Sequence, residues 1–344
     1  MRNKFLFFIM IWAVMMIGWS ASLSAGEDNT KVGTTGASFL EIGVGARAVG
    51  MGGAFVAIAD DASALYWNPG GISRLQSKEV LFVHTQWLAD VSFNYVGLAV
   101  PLGSFGTLGG SITTLGMDDM EVTTVTYPDG TGEKFSAGDF CMALTYGRSL
   151  TDRFSIGANF KYINQNIWHM NASGMAIDIG TLFTTQFNGL KIGMSISNFG
   201  GKLKMEGKDA IIRHDIDENK TGNNGQIIGH LDTDKFAMPL IFRVGLSMDV
   251  LKSGMNRVTL ATDALHPNDN TEHINVGGEY AFRDRVFLRA GYNSLFMKDS
   301  EEGFSAGGGI CYRVMGNVLL KLDYAYTQFG DLNDIHRFAM TLSF

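Results

Sequence analysis

A glycine-rich stretch with charged residues is the first part of this sequence whose residue types could do chemistry. Residues 43–53 read GVGARAVGMGG, and Asp60 and Asp61 follow. Glycines at such spacing hold a nucleotide phosphate when they join a strand to a helix within a βαβ unit. Here the downstream chain alternates like antiparallel β-strands, and no GK[ST] follows. We therefore predict no phosphate site, and we expect Arg47 to pair with Asp60, Asp61 or an acidic residue of the strands, since a buried charge needs a partner.

The remaining reactive side chains also lack a catalytic pattern. The seven histidines show no HExxH spacing, and no GxSxG occurs, so we predict no enzyme activity, no cofactor and no metal site. Cys141 and Cys311 are too few for a disulfide scaffold and fall on strands far apart, so we predict two free thiols. By strand parity we expect His84 to face the interior.

The beginning of the chain resembles an export signal. Arg2 and Lys4 precede an apolar run, and small residues up to Ala25 offer a cleavage site, so we predict a signal peptide at residues 1–25. Without Arg2 and Lys4, 25 basic side chains remain against 34 acidic ones. This acidic balance excludes nucleic acid as a partner. An uncleaved membrane anchor is the alternative to a signal peptide.

Alternation of apolar and polar residues dominates the chain from Val80 onward. Leu190, Ile192, Met194 and Ile196, for example, alternate with polar or small residues, which gives a strand one apolar face and one polar face. The pattern predicts fourteen strands, at residues 80–88, 92–102, 104–117, 136–149, 153–168, 174–186, 189–199, 238–250, 256–265, 272–282, 285–295, 303–313, 317–328 and 334–344.

Strand length and loop length together predict a membrane barrel. Most segments have the 9 to 11 residues that a tilted strand needs to cross a bilayer. Short connections alternate with longer ones, of which 118–135 and 200–237 are the longest, and aromatic residues lie near strand ends as in the two girdles of such barrels. A soluble sandwich or propeller is the alternative, but these strands are long for a sandwich and no propeller repeat is visible. The fold class is therefore all-β, a 14-stranded antiparallel transmembrane β-barrel with an N-terminal plug segment.

Residues 26–79 lack the strand alternation, and we predict that they form the plug, with short helices. We expect a helix over residues 60–66 with Asp60 or Asp61 as its N-cap, then a turn at Asn68-Pro69-Gly70-Gly71. Residues 80–344 are the predicted barrel. The loop at 200–237 is the best candidate for a surface contact or a lid, although a flexible, solvated loop is an equal alternative.

At this stretch the chain resembles a known group. GARAVGMGGAFVAIADDASALYWNPGGI, residues 45–72, is similar to the N-terminal signature of the PorV/PorQ family, which is itself similar to the FadL and TodX transporters. The family's usual NPAG is NPGG here, a small change in one turn. The signature residues that match, expected to be structural, are Arg47, Gly50, Gly52, Gly53, Asp60, Asp61, Tyr66, Trp67, Asn68 and Pro69.

The resemblance implies a function without catalysis. For the PorV branch it implies docking or carriage in protein export of the type IX secretion kind; for the FadL branch it implies passive uptake of hydrophobic compounds such as long-chain fatty acids. Implied partners are outer-membrane lipid and either secreted cargo and secretion-system proteins or a hydrophobic small molecule. The implied location is the outer membrane of a Gram-negative-type bacterium.

Parity also assigns charged side chains to the barrel interior. Basic and acidic residues are mixed there, which suits ion pairs between plug and wall better than an ion-selective ring. The predicted lumen-facing charges are Lys161, Asp178, Arg243, Asp263, Glu279, Arg289, Arg313, Lys321 and Asp323.

Overall fold

The computed structural model describes residues 31–217, 219–297 and 300–344. The predicted signal peptide, residues 1–25, and the first residues of the predicted plug lie outside the described residues. Within the described helices, none is long and apolar enough to cross a membrane.

Fourteen strands form a closed antiparallel ring, which confirms the predicted all-β, 14-stranded antiparallel barrel. Each strand pairs with its neighbours in sequence, and the first strand pairs with the last, with Phe82 opposite Met340. The strands are β1 Glu79–Gln86, β2 Ser92–Pro101, β3 Thr107–Gly116, β4 Ala137–Ser149, β5 Phe154–Ile167, β6 Met170–Thr184, β7 Lys191–Gly200, β8 Ile241–Ser253, β9 Asn256–Pro267, β10 His273–Phe282, β11 Val286–Leu295, β12 Glu302–Met315, β13 Val318–Phe329 and β14 Ile335–Ser343.

The apolar faces of these strands point outward. On β5, the apolar residues Ile156 and Phe160 are exposed. The polar residues on either side of Phe160, Asn159 and Lys161, are buried. This inverts the rule for a soluble protein and is the pattern of a barrel in lipid. The predicted strand bounds agree within three residues, except that β6 begins at Met170 rather than at residue 174.

The two ends of the barrel differ in their connections. At one end, called the short-turn end, connections such as 254–255 and 316–317 are short, and β1 begins and β14 ends there. At the opposite end, called the long-loop end, the connections between β3 and β4 and between β7 and β8 carry additional short strands. These are Met120–Glu121 with Lys134–Phe135, Leu203–Lys204 with Lys235–Phe236, Ile211–His214 with Ile227–His230, and Glu206–Gly207, which pairs with β6.

The N-terminal segment, residues 31–78, runs through the barrel interior. Gly36 N donates to Ala237 O at the long-loop end, and Lys78 N donates to Phe344 O at the short-turn end. Between these points the segment is almost wholly buried. Its helical turns are Ser38–Glu41, Ala46–Val49, Ala64–Trp67 and Pro69–Arg74, and single 3₁₀ turns elsewhere are Leu88–Asp90, Gly103–Phe105, Lys208–Ala210 and Asn223–Gln226.

Two local expectations are wrong. The helix expected at 60–66 is one turn, Ala64–Trp67, with Ser63 at its N-cap position; Asp61 Oδ1 instead accepts hydrogen bonds from Ser63 N and Oγ, which forms a turn before the helix. His84 is exposed on the outer face of β1, because Leu81 and Val83 set the inward parity of that strand.

Candidate functional site

Arg47 ties the N-terminal segment to the barrel wall. Its guanidinium lies 2.7 Å from Asp60 Oδ1 and 2.7 Å from Asp61 Oδ2, and its Nε lies 3.0 Å from Glu279 Oε2. Both expected kinds of partner, the adjacent aspartates and a wall carboxylate, are therefore present. The guanidinium also lies over the ring of Phe55, 5.2 Å from its centroid.

Glu279 on β10 is the centre of a larger ion-pair cluster. Its carboxylate is 2.8 Å from Arg289 Nε and 3.2 Å from Arg257 Nη2, in addition to Arg47. Arg289 continues the cluster to Asp323 Oδ1, at 2.6 Å. Glu279 is 1% exposed, so three guanidinium groups surround a carboxylate that is removed from water, an arrangement that is stable only when every charge is paired.

A second anchor joins the wall to the segment backbone. Asp263 Oδ2, on β9, accepts hydrogen bonds from Phe55 N and Val56 N at 2.8 and 2.9 Å. Asn68 Nδ2 donates to Val56 O and, across to β6, to Thr181 O. These bonds satisfy backbone groups of an irregular chain that has no water around it.

The signature side chains hold the segment in its folded form. Trp67 Nε1 donates to Val44 O at 2.8 Å, and Tyr66 Oη donates to Leu40 O at 3.0 Å. The two rings pack edge to face, 5.1 Å apart. Pro69 begins the 3₁₀ turn that follows, where Asn68 Oδ1 accepts from Gly70 N.

Small wall residues let the segment backbone approach the strands. A Cβ at Gly277 would lie 2.1 Å from Met51 O, and one at Gly157 would lie 2.2 Å from Pro69 O. Of the signature glycines, Gly50 lies against Gly307, Gly52 N donates to Ser305 Oγ, and Gly52 and Gly53 have positive φ. The fit is backbone against backbone.

An irregularity in the wall is filled by polar groups. The register of β6 and β7 shifts between Ile177 and Ile179. Asp178, in the shift, accepts from Asn198 N at 2.7 Å and pairs with Lys161 Nζ at 2.7 Å. Asp178 is fully buried, so the shift is a sealed β-bulge whose extra backbone group is satisfied.

A cavity of about 330 Å³ lies between the N-terminal segment and the wall at the short-turn end. Arg47, Asp60 and Asp61 line one side, and strand residues such as Arg257 and Lys321 line the other. Its charges are of both signs, and apolar residues such as Leu81 and Phe287 line the rest of it. Both cysteines are free: Cys141 is buried, and Cys311 is half-buried at the cavity.

The predicted interior charges do not all lie together. Arg313 is exposed near the short-turn end, apart from the cluster. Arg243 is buried, with its guanidinium 5.7 Å from the Trp67 ring centroid and bonded to Ser197 Oγ, and Lys321 lies 3.7 Å from Glu79 Oε1. Sequence reasoning missed Arg257, Glu79 and Arg337. Arg337 is buried, and its guanidinium donates to Thr327 Oγ1 and lies over the Trp87 ring. Strand parity, counted from buried apolar neighbours such as Leu81, is a signal that could have found all three.

The long-loop end presents an apolar hairpin to solvent. Ile211–His214 and Ile227–His230, called the isoleucine hairpin, pair antiparallel. Ile228 is 69% exposed, and Ile211, Ile212 and Ile227 are also exposed. At its base Lys204 hydrogen-bonds to Asp232 at 2.8 Å, and this bond lowers the pKa of Asp232 and raises the pKa of Lys204.

Solved structures of similar shape include a transporter and a hydrocarbon channel. The toluene transporter TodX of Pseudomonas putida aligns with a TM-score of 0.55 at 12% identity, covering 88% of this chain and 97% of TodX. A TodX deltaS2 mutant, a monoaromatic hydrocarbon channel, gives 0.52 at 12% identity, covering 88% and 98%. A FadL homologue of Pseudomonas aeruginosa gives 0.49 at 10% identity, covering 88% and 98%. At these identities the likeness shows the fold alone.

Sequence comparison adds the family. No curated protein matches the chain significantly. The family described as "Type IX secretion system protein PorV" matches residues 25–219, which is more than half of the chain and includes the signature, the N-terminal segment and the first seven strands. The chain therefore belongs to the PorV family.

Proposed function

We propose that this protein is a non-enzymatic outer-membrane component of protein export, whose lumen is closed by the N-terminal segment and whose long-loop side docks exported proteins or their secretion partners. The family supports the export role, and the fold supports the outer membrane. The short-turn end then faces the periplasm, as in barrels of this kind.

The closed interior is the observation that carries the proposal. A channel for hydrophobic compounds needs an apolar path and an exit. Here each described strand is hydrogen-bonded to both of its neighbours around the ring, and the bulge at Asp178 is filled by Lys161 and Asn198. Buried ion pairs such as Arg47–Glu279 lie across the interior, and the apolar side chains there, such as Phe55 and Leu65, are packed against one another.

The isoleucine hairpin supports the proposal that docking takes place at the long-loop end. Exposed apolar groups above a membrane barrel are costly in water, and contiguous ones mark interaction surfaces. The pairing of Ile211 with His230 and of Arg213 with Ile228 holds these side chains on an ordered sheet. A preformed surface of this kind binds with less loss of conformational entropy than a flexible loop.

The test uses cells that carry only variants of the full chain. Ile212→Asp with Ile228→Asp places charge on both faces of the hairpin, and we expect exported cargo to accumulate in the periplasm. Leu332→Asp, at another exposed position of the same end (51% exposed), is the matched control and should export normally. Heat-modifiable migration in gels verifies that each barrel is folded and inserted.

Uptake of hydrophobic compounds is the alternative that the same cells distinguish. TodX, a toluene transporter, shares the fold, and a register shift does occur in the wall. If the hairpin variants export cargo normally, and if vesicles containing the purified protein take up toluene or a long-chain fatty acid faster than empty vesicles, docking is wrong and uptake is right.

A further inference from the structure

The barrel wall is shortest along its axis where the first strand, β1, pairs with the last strand, β14. β1, Glu79–Gln86, has eight residues, and β14, Ile335–Ser343, has nine, whereas β6 has fifteen. With a rise of 3.3 Å per residue and a tilt of 40°, eight residues span only about 20 Å along the barrel axis. The apolar band of outer-membrane barrels is about 25 Å tall, so this section of wall is too short for the lipid around it.

The outer face of this section is polar only in its part near the long-loop end, beside exposed apolar residues such as Phe338 and Met340 of β14. On β1 the outward apolar residues are Val80 and Phe82, and the outward residues above them are His84 and Gln86. On β8, across the barrel, Phe242, Val244 and Leu246 belong to a longer apolar series. His84 lies five residues from Glu79, which is about 13 Å along the barrel axis from the start of β1 and within the roughly 25 Å height of an apolar band that begins at that level.

The polar residues form one continuous patch, called the polar seam. Register places His84 opposite Asn94, Gln86 opposite Ser92, and Gln86 beside His336, and all five side chains are exposed. On β14, Phe338 lies opposite His84, and His336 Nδ1 is 2.7 Å from Tyr324 Oη. His84 Nδ1 and Asn94 Oδ1 are 2.8 Å apart. That bond uses one imidazole nitrogen and the amide oxygen, and it leaves the second nitrogen and the amide NH₂ directed to the surroundings.

Lipid is a poor neighbour for this seam. Polar groups without partners in hydrocarbon cost free energy, and a wall that is too short is accommodated by thinning the bilayer or by oligomerising. The seam has no Asp, Glu, Lys or Arg, and each of its side chains both donates and accepts hydrogen bonds. A surface of this kind is complementary to itself across a two-fold axis, the commonest symmetry of homo-oligomers.

We propose that the polar seam on β14, β1 and β2 is a membrane-embedded interface with a second copy of this chain. The pairing replaces lipid at the low section of the wall and satisfies the free donors and acceptors of His84 and Asn94. The long-loop and short-turn ends of both copies stay free, so the interface is independent of the docking surface.

Cysteine cross-linking in native outer membranes tests the interface. Cys141 and Cys311 lie on the inward face, so a cysteine introduced on the outer face is the one that can join two copies. His84→Cys and Ser92→Cys should give an oxidised species of twice the monomer mass. Leu246→Cys, on the opposite wall, is the control and should remain monomeric.

A second variant separates pairing from lipid contact. His84→Leu with Asn94→Leu extends the apolar band, and we expect the detergent-purified native dimer to become a monomer that still migrates as a folded barrel. Native protein that is monomeric, with no cross-link at His84 or Ser92, would mean that thinned lipid covers the seam. A cross-linked species of another mass would mean that a different protein covers it; either result overturns the proposal. Neither result bears on export through the isoleucine hairpin.

Discussion

At the scale of single residues, Glu279 is the charge on which the seating of the N-terminal segment depends most. It neutralises Arg47 from the segment and Arg257 and Arg289 from the wall. Without Glu279, Arg47 would keep Asp60 and Asp61, and Arg289 would keep Asp323, but the cluster would hold one buried negative charge fewer, which is costly where water does not reach. This distinguishes it from exposed contacts such as that of His266 Nδ1 with Glu272 Oε1, 2.9 Å apart at the long-loop end.

We therefore expect Glu279→Gln to destabilise the protein by about 3 kcal/mol or more, the usual cost of breaking a buried ion pair from one side. The measurement is the urea midpoint of the protein refolded into vesicles. Glu272→Gln removes an exposed carboxylate and should change stability by less than about 0.5 kcal/mol. Equal effects of the two variants would show that the cluster is not structurally important.

At the scale of elements, the N-terminal segment packs closely against the strands because glycines without side chains lie at the contacts. Gly277 and Gly278 are neighbours on β10 that point to opposite faces. A Cβ at Gly277 meets the backbone of Met51 at 2.1 Å, whereas at Gly278 the nearest atom is Leu260 Cδ2 at 3.2 Å. The inner glycine is required by close approach, and the outer one is not.

We expect Gly277→Ala to cost about 1–3 kcal/mol through overpacking and to loosen the segment. Limited proteolysis between residues 31 and 78 should become faster while the strands stay protected. Gly278→Ala is the matched control, because its methyl group points to the outer face, and it should behave as the parent does. Proteolysis that is unchanged in Gly277→Ala would mean that the segment does not lie against this part of the wall.

At the scale of the whole molecule, the N-terminal segment runs from the long-loop end of the barrel to the short-turn end, which determines the side of the membrane on which it begins. The segment starts beside Ala237 at the long-loop end and leaves beside Phe344 at the short-turn end. Lys31 and Val32 are exposed at its start. If the long-loop end faces the exterior, the beginning of this segment is accessible from outside the cell, although export delivers the chain to the periplasm first.

We expect Lys31→Cys to react with a membrane-impermeant maleimide in intact cells. Gly189→Cys, in the short connection between β6 and β7, should react only after the outer membrane is permeabilised. Gly189 and Asn188 both have positive φ, so Gln186→Cys, at an exposed position of the same connection, is a second control. Labelling of Lys31→Cys that also needs permeabilisation would place the start of the segment on the periplasmic side.

Much of this architecture follows from local sequence. Alternation of residues such as Ile156 and Asn159 sets which side chains face outward, because successive side chains of a strand point to opposite faces. The same parity assigned Glu279, Arg289 and Asp323 to the interior. The prediction failed at His84, which was assigned to the interior because it is polar. Leu81 and Val83 are buried on the inner face of β1, so His84, next to Val83, points outward.

The sequence by itself determined the number of strands, their order and the faces of most side chains, because these are properties of neighbouring residues along the chain. The tertiary structure alone decided which charges meet. Arg47 and Glu279 are 232 residues apart and become partners only when the ring closes around the N-terminal segment. Closure also decided that the short strands β1 and β14 lie side by side, and a low, polar section of wall results from their adjacency rather than from either strand alone.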